Sequence, residues 1–335
     1  MSFFVMRKFL KREVFFMKRT QKLAILGLGH VGSAVLMQAV ALHIAPEIVC
    51  IDVKDGVAHG EALDMMHALS TDLYPGMHVS SGTWEDLADA DVIICAAGPS
   101  ILPGVSHERL SLARENTKVL REIMSEVVKY TKDAIFIMIT NPLDVTTYVA
   151  STEFGYLKGH LFGTGTTLET MRFKYIIGKH YHVNPASVQG FMLGEHGNSA
   201  FPAWSALTIG GVPFQDLDAF YEHDGALDKA AVAEEVVQTA YDVLESKGWT
   251  NTGIAVGACR LARAVLNDEK LVTPVSLPFT GEYGLTDVAL SLPSVIGKNG
   301  VERRIPLHLT DEEIELLKKS AASVQDVLRG NGIIK

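Results

Sequence analysis

Near the start of the chain, residues 22–32 read Lys-Leu-Ala-Ile-Leu-Gly-Leu-Gly-His-Val-Gly. The short apolar run predicts a buried strand, and the residues after the glycines have helical periodicity. A G-x-G-x-x-G sequence between a strand and a helix indicates a dinucleotide-binding turn. Gly27 permits the tight turn, Gly29 lets backbone amides approach a pyrophosphate, and Gly32 allows the helix to pack close to the strand. The residues that we predict at the phosphates are Gly27, Gly29, His30, Val31 and Gly32.

An acidic residue ends the next apolar run. Asp52 closes a predicted strand at 47–52 and lies 25 residues (52 − 27) after Gly27. A carboxylate at this position accepts hydrogen bonds from both ribose hydroxyls of NAD and repels the 2′-phosphate of NADP. We therefore predict NAD as the cofactor, with Ala97 and Gly98 as further contacts. An ordinary strand–turn–helix, in which Asp52 only caps a helix, is the alternative.

Strands and helices alternate through the first half of the chain. The continuous apolar character of the strands indicates a parallel sheet covered on both faces. Right-handed crossovers make such a sheet a doubly wound Rossmann fold. Its predicted strands are 23–26, 47–52, 78–81, 91–96 and 134–139, and its helices are 31–42, 61–69 and 108–130. The predicted fold class is therefore α/β, with a mixed α+β substrate domain after the Rossmann sheet.

The second half mixes helices and strands. The predicted helices are 167–181, 229–246, 253–266 and 311–328, and the predicted strands are 188–193, 204–209, 271–277, 288–292 and 300–304, the last three antiparallel. Thr310 and Glu313 predict a capping box at the start of the last helix. The predicted domains are an N-terminal extension at 1–20, an NAD-binding domain at 21–160 and a substrate-binding domain at 161–335.

The composition limits the classes of protein that need to be considered. The chain has 335 residues, 47% hydrophobic and 21% charged, with a net charge of −9, and it lacks the basic domain typical of nucleic-acid binding. Its three cysteines lie in apolar runs without C-x-x-C spacing, which predicts buried free thiols and a cytoplasmic location. No apolar stretch reaches the ~18–20 residues that cross a bilayer, and no histidines show the spacing of metal ligands. We therefore predict no membrane or nucleic-acid partner and no metal.

The first 20 residues differ from the rest of the chain. They contain six basic residues, one acidic residue and five phenylalanines. They have no continuous apolar core of the kind that a signal peptide needs. The favoured interpretations are a flexible arm, or an upstream start codon with Met17 as the working start. An arm that packs on a neighbouring subunit and a membrane-surface helix are the alternatives.

A histidine between glycines follows an apolar run at residues 194–199, which read Gly-Glu-His-Gly-Asn-Ser. Core packing explains such a histidine poorly, whereas acid–base chemistry uses an imidazole of this kind. Glu169 and Arg172 are three residues apart and therefore share one helix face. The carboxylate of Glu169 can orient His196, and the guanidinium of Arg172 can bind a substrate carboxylate through two parallel hydrogen bonds. Arg109 follows a Gly/Pro/Ser-rich loop and can close over the substrate.

From about Lys22 to the C-terminal helix, the chain resembles the NAD-dependent L-lactate/malate dehydrogenase family, because several separated motifs agree. The resemblance implies that His196 exchanges the proton, that Arg172 binds the substrate carboxylate, and that Arg109 polarises the carbonyl. It implies further substrate contacts at Asn141 and Thr250, and nicotinamide contacts at Asn141 and Ile254. It also implies a homo-oligomer, for which we expect a tetramer before a dimer.

Four positions depart from the family pattern. They are Leu102 at the specificity position, Glu169 and Asn198 where Asp is usual, and Gly253 where Ala is common in lactate enzymes. Leu102, Gly253 and Asn198 resemble L-2-hydroxyisocaproate dehydrogenases, which predicts a 2-oxo acid with an apolar, branched side chain. Pyruvate is the alternative substrate, and malate is disfavoured because the loop has no second arginine. A non-catalytic NAD-binding homologue, supported only by Glu169, is the remote alternative.

Overall fold

The computed structural model describes residues 20–54, 56–73, 76–99 and 109–335, and of residues 109–111 it describes the backbone alone. The predicted extension at 1–20, apart from Thr20, therefore lies outside the described residues. Leu102 lies outside them too, and so does the side chain of Arg109.

The first half of the chain forms a parallel sheet with helices between its strands. The strands are β1 (Lys22–Leu26), β2 (Glu47–Ile51), β3 (His78–Ser81), β4 (Val92–Cys95), β5 (Ile135–Met138) and β6 (Leu161–Gly163). The helices are α1 (His30–Ala41), α2 (Val57–Leu69), α3 (Arg109–Tyr130) and α4 (Leu143–Glu153). The strand order is β3-β2-β1-β4-β5-β6, and every neighbouring pair is parallel. The predicted doubly wound Rossmann sheet is confirmed, and its order reverses between β1 and β4, where such sheets open a crevice.

The second half combines several two-residue strands with two long ones and several helices. Its helices are α5 (Thr167–His180), α6 (Leu217–Phe220), α7 (Lys229–Lys247), α8 (Thr252–Leu266) and α9 (Asp311–Gly330). Its strands are β7 (Val188–Gln189), β8 (Met192–Leu193), β9 (Phe201–Pro202), β10 (Thr208–Ile209), β11 (Val212–Pro213), β12 (Leu271–Thr280), β13 (Thr286–Gly297) and β14 (Gly300–Arg304). The predicted capping box of Thr310 and Glu313 is present at the start of α9.

One sheet joins the two halves of the chain. Strand β12 pairs antiparallel with β6 and with β13, and β13 pairs antiparallel with β14, which extends the parallel sheet to nine strands. The expected antiparallel strands are therefore confirmed. Helix α8 also crosses between the halves, because it packs with α1 and α2 on one face of the parallel strands. Helices α3 and α4 cover the other face.

The strand predicted at 188–193 is wrong as a single element. It is split into β7, which pairs with β10, and β8, which pairs with β9. Gly190 lies between them, at a point where a Cβ atom would come within 2.8 Å of Leu207 and 2.9 Å of Phe173. Close packing of these two side chains against the backbone accompanies the break.

The strand predicted at 204–209 is also wrong over its first half. Residues Trp204–Ala206 form a 3₁₀ turn, and only Thr208–Ile209 form a strand. Ser205 donates hydrogen bonds from its backbone N–H and its hydroxyl to the buried carboxylate of Glu313 in α9. This long-range contact holds the turn and satisfies a carboxylate that would otherwise be costly to bury.

Helix α4 was not predicted. Its sequence is rich in β-branched residues, which have lower helix propensity. Most of the helix is nevertheless buried between the sheet and α3, so that tertiary packing outweighs local preference. Helix α2 and strand β13 extend beyond their predicted ends.

Two further expectations concern burial and membranes. Cys50, Cys95 and Cys259 are buried and free, as predicted. Among the described residues, no helix is both long and apolar enough to cross a membrane.

The contact between the glycine turn and α1 generates a stability prediction. A Cβ at Gly32 would lie 1.8 Å from the backbone oxygen of Gly27, so we expect Gly32→Ala to lower the free energy of unfolding by about 3 kcal/mol. The matched control is Gly60→Ala in α2, because a Cβ there would meet no described atom within 4 Å. Because Gly60→Ala replaces a glycine within a helix, it should raise the free energy of unfolding by about 0.5–1 kcal/mol. Urea unfolding of both variants measures the difference, and equal effects would contradict the close approach.

Candidate active site

A cavity of about 1140 Å³ opens at the carboxyl ends of β1, β2 and β4. The predicted cofactor residues that line it are Gly27, Gly29, His30, Val31, Asp52, Ala97 and Gly98. Gly32 lies behind the cavity, where it packs on Gly27. The cavity coincides with the point at which the strand order reverses, which is the usual ligand position in a sheet of this type.

The glycine turn is shaped by close contacts on one side and open space on the other. Gly27 has a φ of +85°, and a Cβ there would lie 2.6 Å from the Cα of Ala97. A Cβ at Gly29 would meet no described atom within 4 Å. Gly29 is also the N-cap of α1 and supplies no side-chain cap, so the first N–H groups of the helix remain available to an anion.

The carboxylate of Asp52 is fixed by two backbone amides. Its Oδ2 accepts a hydrogen bond from Leu28 N at 2.7 Å, and its Oδ1 accepts one from Lys54 N at 2.8 Å. Each oxygen retains a lone pair, because a carboxylate has about four acceptor positions. The half-buried side chain can therefore also accept hydrogen bonds from a diol in the cavity.

These residues fit NAD. The open side of Gly29 and the start of α1 suit a pyrophosphate, and Asp52 suits an unphosphorylated ribose. Bound there, the cofactor would supply or accept a hydride. Among the described residues, no group of three or more His, Cys, Asp or Glu side chains is arranged to hold a metal ion.

A buried amide joins the two loops on the far side of the cavity. The Nδ2 of Asn116 donates hydrogen bonds to the backbone oxygens of Asn141, at 2.6 Å, and Pro99, at 3.3 Å. The hydroxyl of Thr140 donates to the backbone oxygen of Ala97 at 2.6 Å. The loop after β4 and the loop after β5 are thereby held side by side, and the exposed Asn141 lies next to the cofactor cavity.

The catalytic candidates His196 and Glu169 are in contact. Nδ1 of His196 lies 2.7 Å from Oε1 of Glu169, and the two side chains are 21% and 5% exposed. The ring N–H is not aligned with the carboxylate as a hydrogen bond requires, and Oε2 of Glu169 has no hydrogen-bond partner among the described residues. Glu169 therefore reaches the ring of His196 at ion-pair distance.

A second buried carboxylate holds the same histidine from its backbone. Asp144 is 2% exposed, and its Oδ2 accepts a hydrogen bond from His196 N at 2.7 Å. Its Oδ1 accepts a hydrogen bond from the hydroxyl of Ser276 in β12 at 2.6 Å. Asp144 therefore fixes the start of the 196–199 turn relative to the central sheet.

His196, Glu169 and Asp144 shift one another's pKa values. Burial alone would lower the pKa of His196, but the charges of Glu169 and Asp144 outweigh burial and raise the pKa. Burial would raise the pKa of Glu169, yet the imidazolium holds that pKa below its usual range. Burial raises the pKa of Asp144 to about 6. The charges of Glu169 and Asp144 therefore favour the protonated imidazole of His196.

Arg172 follows Glu169 by one turn of α5 and is half-buried. Burial lowers its pKa, against the charge of Glu169, but an arginine stays protonated at neutral pH. Within the described part of the chain, no carboxylate forms a salt bridge with its guanidinium. Its paired N–H donors are therefore available to a carboxylate on a small molecule.

Gly253 is closed on one side by a neighbouring side chain. A Cβ at Gly253 would lie 2.7 Å from Cδ1 of Leu168, the residue before Glu169. Ile254 is 7% exposed and belongs to the same buried cluster as Leu168. The absence of a side chain at Gly253 therefore makes space for Leu168, and Leu168 occupies that space.

The remaining predicted residues have different surroundings. Asn198 is exposed, and its Oδ1 accepts a hydrogen bond from the hydroxyl of Tyr241 in α7 at 2.9 Å. Thr250 is half-buried in the segment between α7 and α8, and no described contact joins it to His196. Leu102 and the side chain of Arg109 lie outside the described residues, so their roles stay predictions.

Sequence reasoning missed the residues that support the site. Asp144, Asn116 and Leu168 contact predicted site residues, but each does so across long stretches of chain or with an unpredicted helix. Asp144 follows the Thr-Asn-Pro turn that contains Asn141, and a buried charge at that position was the one available signal. The contact of Asp144 with Ser276 arises only when α4 packs against β12.

Comparison with known proteins supports the family resemblance found in the sequence. Residues 21–163 match the family described as lactate/malate dehydrogenase, NAD binding domain. Residues 166–330 match the lactate/malate dehydrogenase, alpha/beta C-terminal domain. The two matches together cover most of the chain.

The chain aligns with two relatives and one solved structure over nearly their whole lengths. The chain is 46% identical to an L-lactate dehydrogenase of Selenomonas ruminantium, over 95% of this chain and 100% of that protein. It is 44% identical to L-lactate dehydrogenase 2 of Clostridium acetobutylicum, over 92% and 97%. A crystal structure of the minor L-lactate dehydrogenase of Enterococcus mundtii, in a ligands-bound form, superposes with a TM-score of 0.86 at 36% identity, covering 92% of this chain and 98% of that one.

The ion pair generates a prediction about the titration of His196. Glu169→Gln removes the carboxylate charge that raises the pKa of His196, so we expect that pKa to fall. The matched control is Glu169→Asp, which keeps the charge and should keep the pKa raised. NMR titration of the imidazole resonances measures both variants, with the signal of the exposed His182 as an internal reference. An unchanged titration of His196 in Glu169→Gln would show that Glu169 does not control its proton.

Proposed function

Because the chain belongs to the lactate/malate dehydrogenase family, we propose that it is an L-lactate dehydrogenase that interconverts pyruvate and L-lactate. It is an NAD-dependent oxidoreductase of 2-hydroxy acids. The observation that carries the acid–base part of the proposal is the buried ion pair of His196 with Glu169. The imidazole of His196 lies near Arg172, whose guanidinium forms no salt bridge with a carboxylate of the described residues.

Each described residue has a role in the proposed reduction. Arg172 binds the carboxylate of pyruvate through two hydrogen bonds and thereby orients the neighbouring carbonyl. His196 gives a proton to the carbonyl oxygen, and NADH bound at the glycine turn and Asp52 would supply the hydride. The negative charge of Glu169 favours the protonated imidazole before this transfer. In lactate oxidation, His196 takes the hydroxyl proton back.

Three further residues enter the proposal by family resemblance. We assign Arg109 to polarisation of the carbonyl, and Asn141 and Thr250 to contacts with the substrate. The position of Asn141 beside the cofactor loops supports its assignment. No described contact bears on Arg109, since its side chain lies outside the described residues.

Pyruvate is favoured over the branched 2-oxo acids expected from the sequence. That expectation depended on the resemblance at Leu102, Gly253 and Asn198. At Gly253, the side chain of Leu168 fills the space that a Cβ would occupy. The relatives with the full-length matches are also named L-lactate dehydrogenases. These points support the smaller substrate.

We also propose a cytoplasmic homotetramer, with a dimer as the alternative. Exposed apolar side chains on α1 and α2, such as Met37 at 65% and Leu63 at 48% exposure, support association with other subunits. The buried free thiols support a reducing compartment. A monomeric mass in multi-angle light scattering would contradict the assembly.

A substrate panel tests the proposed function. We would follow NADH oxidation with pyruvate, 4-methyl-2-oxopentanoate, phenylpyruvate and oxaloacetate, and determine the chirality of the product. We expect kcat/KM for pyruvate to exceed the other values by about tenfold or more, since one misfitted methylene costs roughly that factor. The matched variant Leu168→Val removes part of the side chain that fills the space beside Gly253. It should therefore lower the ratio of kcat/KM for pyruvate to kcat/KM for 4-methyl-2-oxopentanoate.

Other outcomes of the panel point to other functions. Faster turnover of 4-methyl-2-oxopentanoate in the unmodified protein would contradict lactate dehydrogenase and restore the branched-acid interpretation. Binding of NADH without turnover of any acid would favour a non-catalytic homologue.

A further inference from the structure

Two aromatic rings connect the cofactor turn with the segment that carries Thr250. The imidazole of His30 and the indole of Trp249 are stacked, with ring centroids 4.1 Å apart and an angle of 4° between their planes. His30 is the first residue of α1 and lines the cofactor cavity. Trp249 lies between α7 and α8 and immediately precedes Thr250.

A hydrogen-bonded pair strengthens the same connection. The Nδ2 of Asn251 donates a hydrogen bond to the backbone oxygen of His30 at 3.3 Å. The Oδ1 of Asn251 accepts one from the Nζ of Lys247 at 2.6 Å, which fixes the orientation of its amide. Trp249 and Asn251, which flank Thr250, therefore both contact His30. Trp249 stacks on its ring, and Asn251 binds its backbone oxygen.

The core beneath this contact is continuous. Val31 packs against the buried cluster that contains Ile254, so the start of α1 and the start of α8 share apolar contacts. The stack covers this junction from outside, since His30 is exposed and Trp249 is 37% exposed. An exposed pair of this kind adds little to global stability, and its main effect is on local position.

We propose that the His30–Trp249 stack is a positioning contact that links the cofactor turn to the substrate segment at 247–254. Both residues would act through Thr250 and would not touch the reacting atoms. Phosphates held by the amides of the glycine turn restrain His30, and the stack passes that restraint to Trp249. Binding of cofactor and binding of substrate are thereby coupled, and each should strengthen the other. This inference rests on the proposed function, because it takes Thr250 to be a substrate contact.

Steady-state kinetics test the coupling. We expect His30→Ala to raise KM for pyruvate about threefold to tenfold, the range that an aromatic pair supports. The rise in KM should exceed the fall in kcat, because the stack does not touch the reacting atoms. His30→Phe keeps a ring for stacking and should restore KM to within about twofold. Trp249→Leu should resemble His30→Ala, and the double variant should be no worse than either single variant.

Thermal unfolding separates positioning from general stability. We expect the melting temperature of His30→Ala to stay within about 2 °C of the unmodified protein, since the pair is exposed. An unchanged KM in His30→Ala would overturn the proposal. An equal rise in KM in His30→Phe would also overturn it, because the stacking ring is still present there.

Tryptophan fluorescence tests the contact even if no 2-oxo acid is turned over. The emission of Trp249 is obtained as the difference between the unmodified protein and Trp249→Phe, because Trp84 also lines the cofactor cavity. We expect NAD⁺ to change this difference signal, and we expect the change to fall at least about twofold in His30→Ala at saturating NAD⁺. An equal change in His30→Ala would contradict the coupling. Absence of turnover with any acid would instead contradict only the proposed function.

Discussion

The contacts of two buried carboxylates with one histidine are the interaction on which the candidate site depends. Glu169 contacts the ring of His196, and Asp144 holds its backbone. Burying these charges without partners would be costly, so each must be offset by a specific contact. The nearby Arg172 brings the formal charge of the group to zero while the imidazole is protonated. Loss of the proton during substrate reduction leaves a net negative charge, which favours uptake of the next proton.

The fold supplies this group from four separate elements. Helix α5 carries Glu169 and Arg172, helix α4 carries Asp144, and strand β12 carries Ser276. The turn after β8 carries His196. All four meet because β12 pairs with β6, which continues the Rossmann sheet into the second half of the chain. The cofactor cavity lies in that same sheet, at the reversal between β1 and β4, so one rigid layer positions both halves of the site.

The parts that could be predicted from sequence have local signals. The glycine turn, Asp52 after the second strand, and the spacing of Glu169 with Arg172 follow from short-range geometry and elementary chemistry. The supporting contacts have no such signals. Helix α4 forms against its local propensity because it is buried, and Asp144 reaches His196 only through that helix. Likewise, the packing of Leu168 against Gly253 has no local signal, because the two residues lie far apart in the chain.

The role of His196 as the acid–base residue is tested most directly by the rate of pyruvate reduction in His196→Gln, with NADH binding measured in parallel. We expect kcat/KM to fall by about 10²- to 10⁴-fold, because the proton donor is lost. The dissociation constant of NADH should change by less than about twofold, since the glycine turn and Asp52 are intact. The matched control is His182→Gln, at an exposed histidine paired with Asp224, and it should keep its rate. A His196→Gln enzyme that retains its rate to within about tenfold would contradict the assignment of His196 as the acid–base residue.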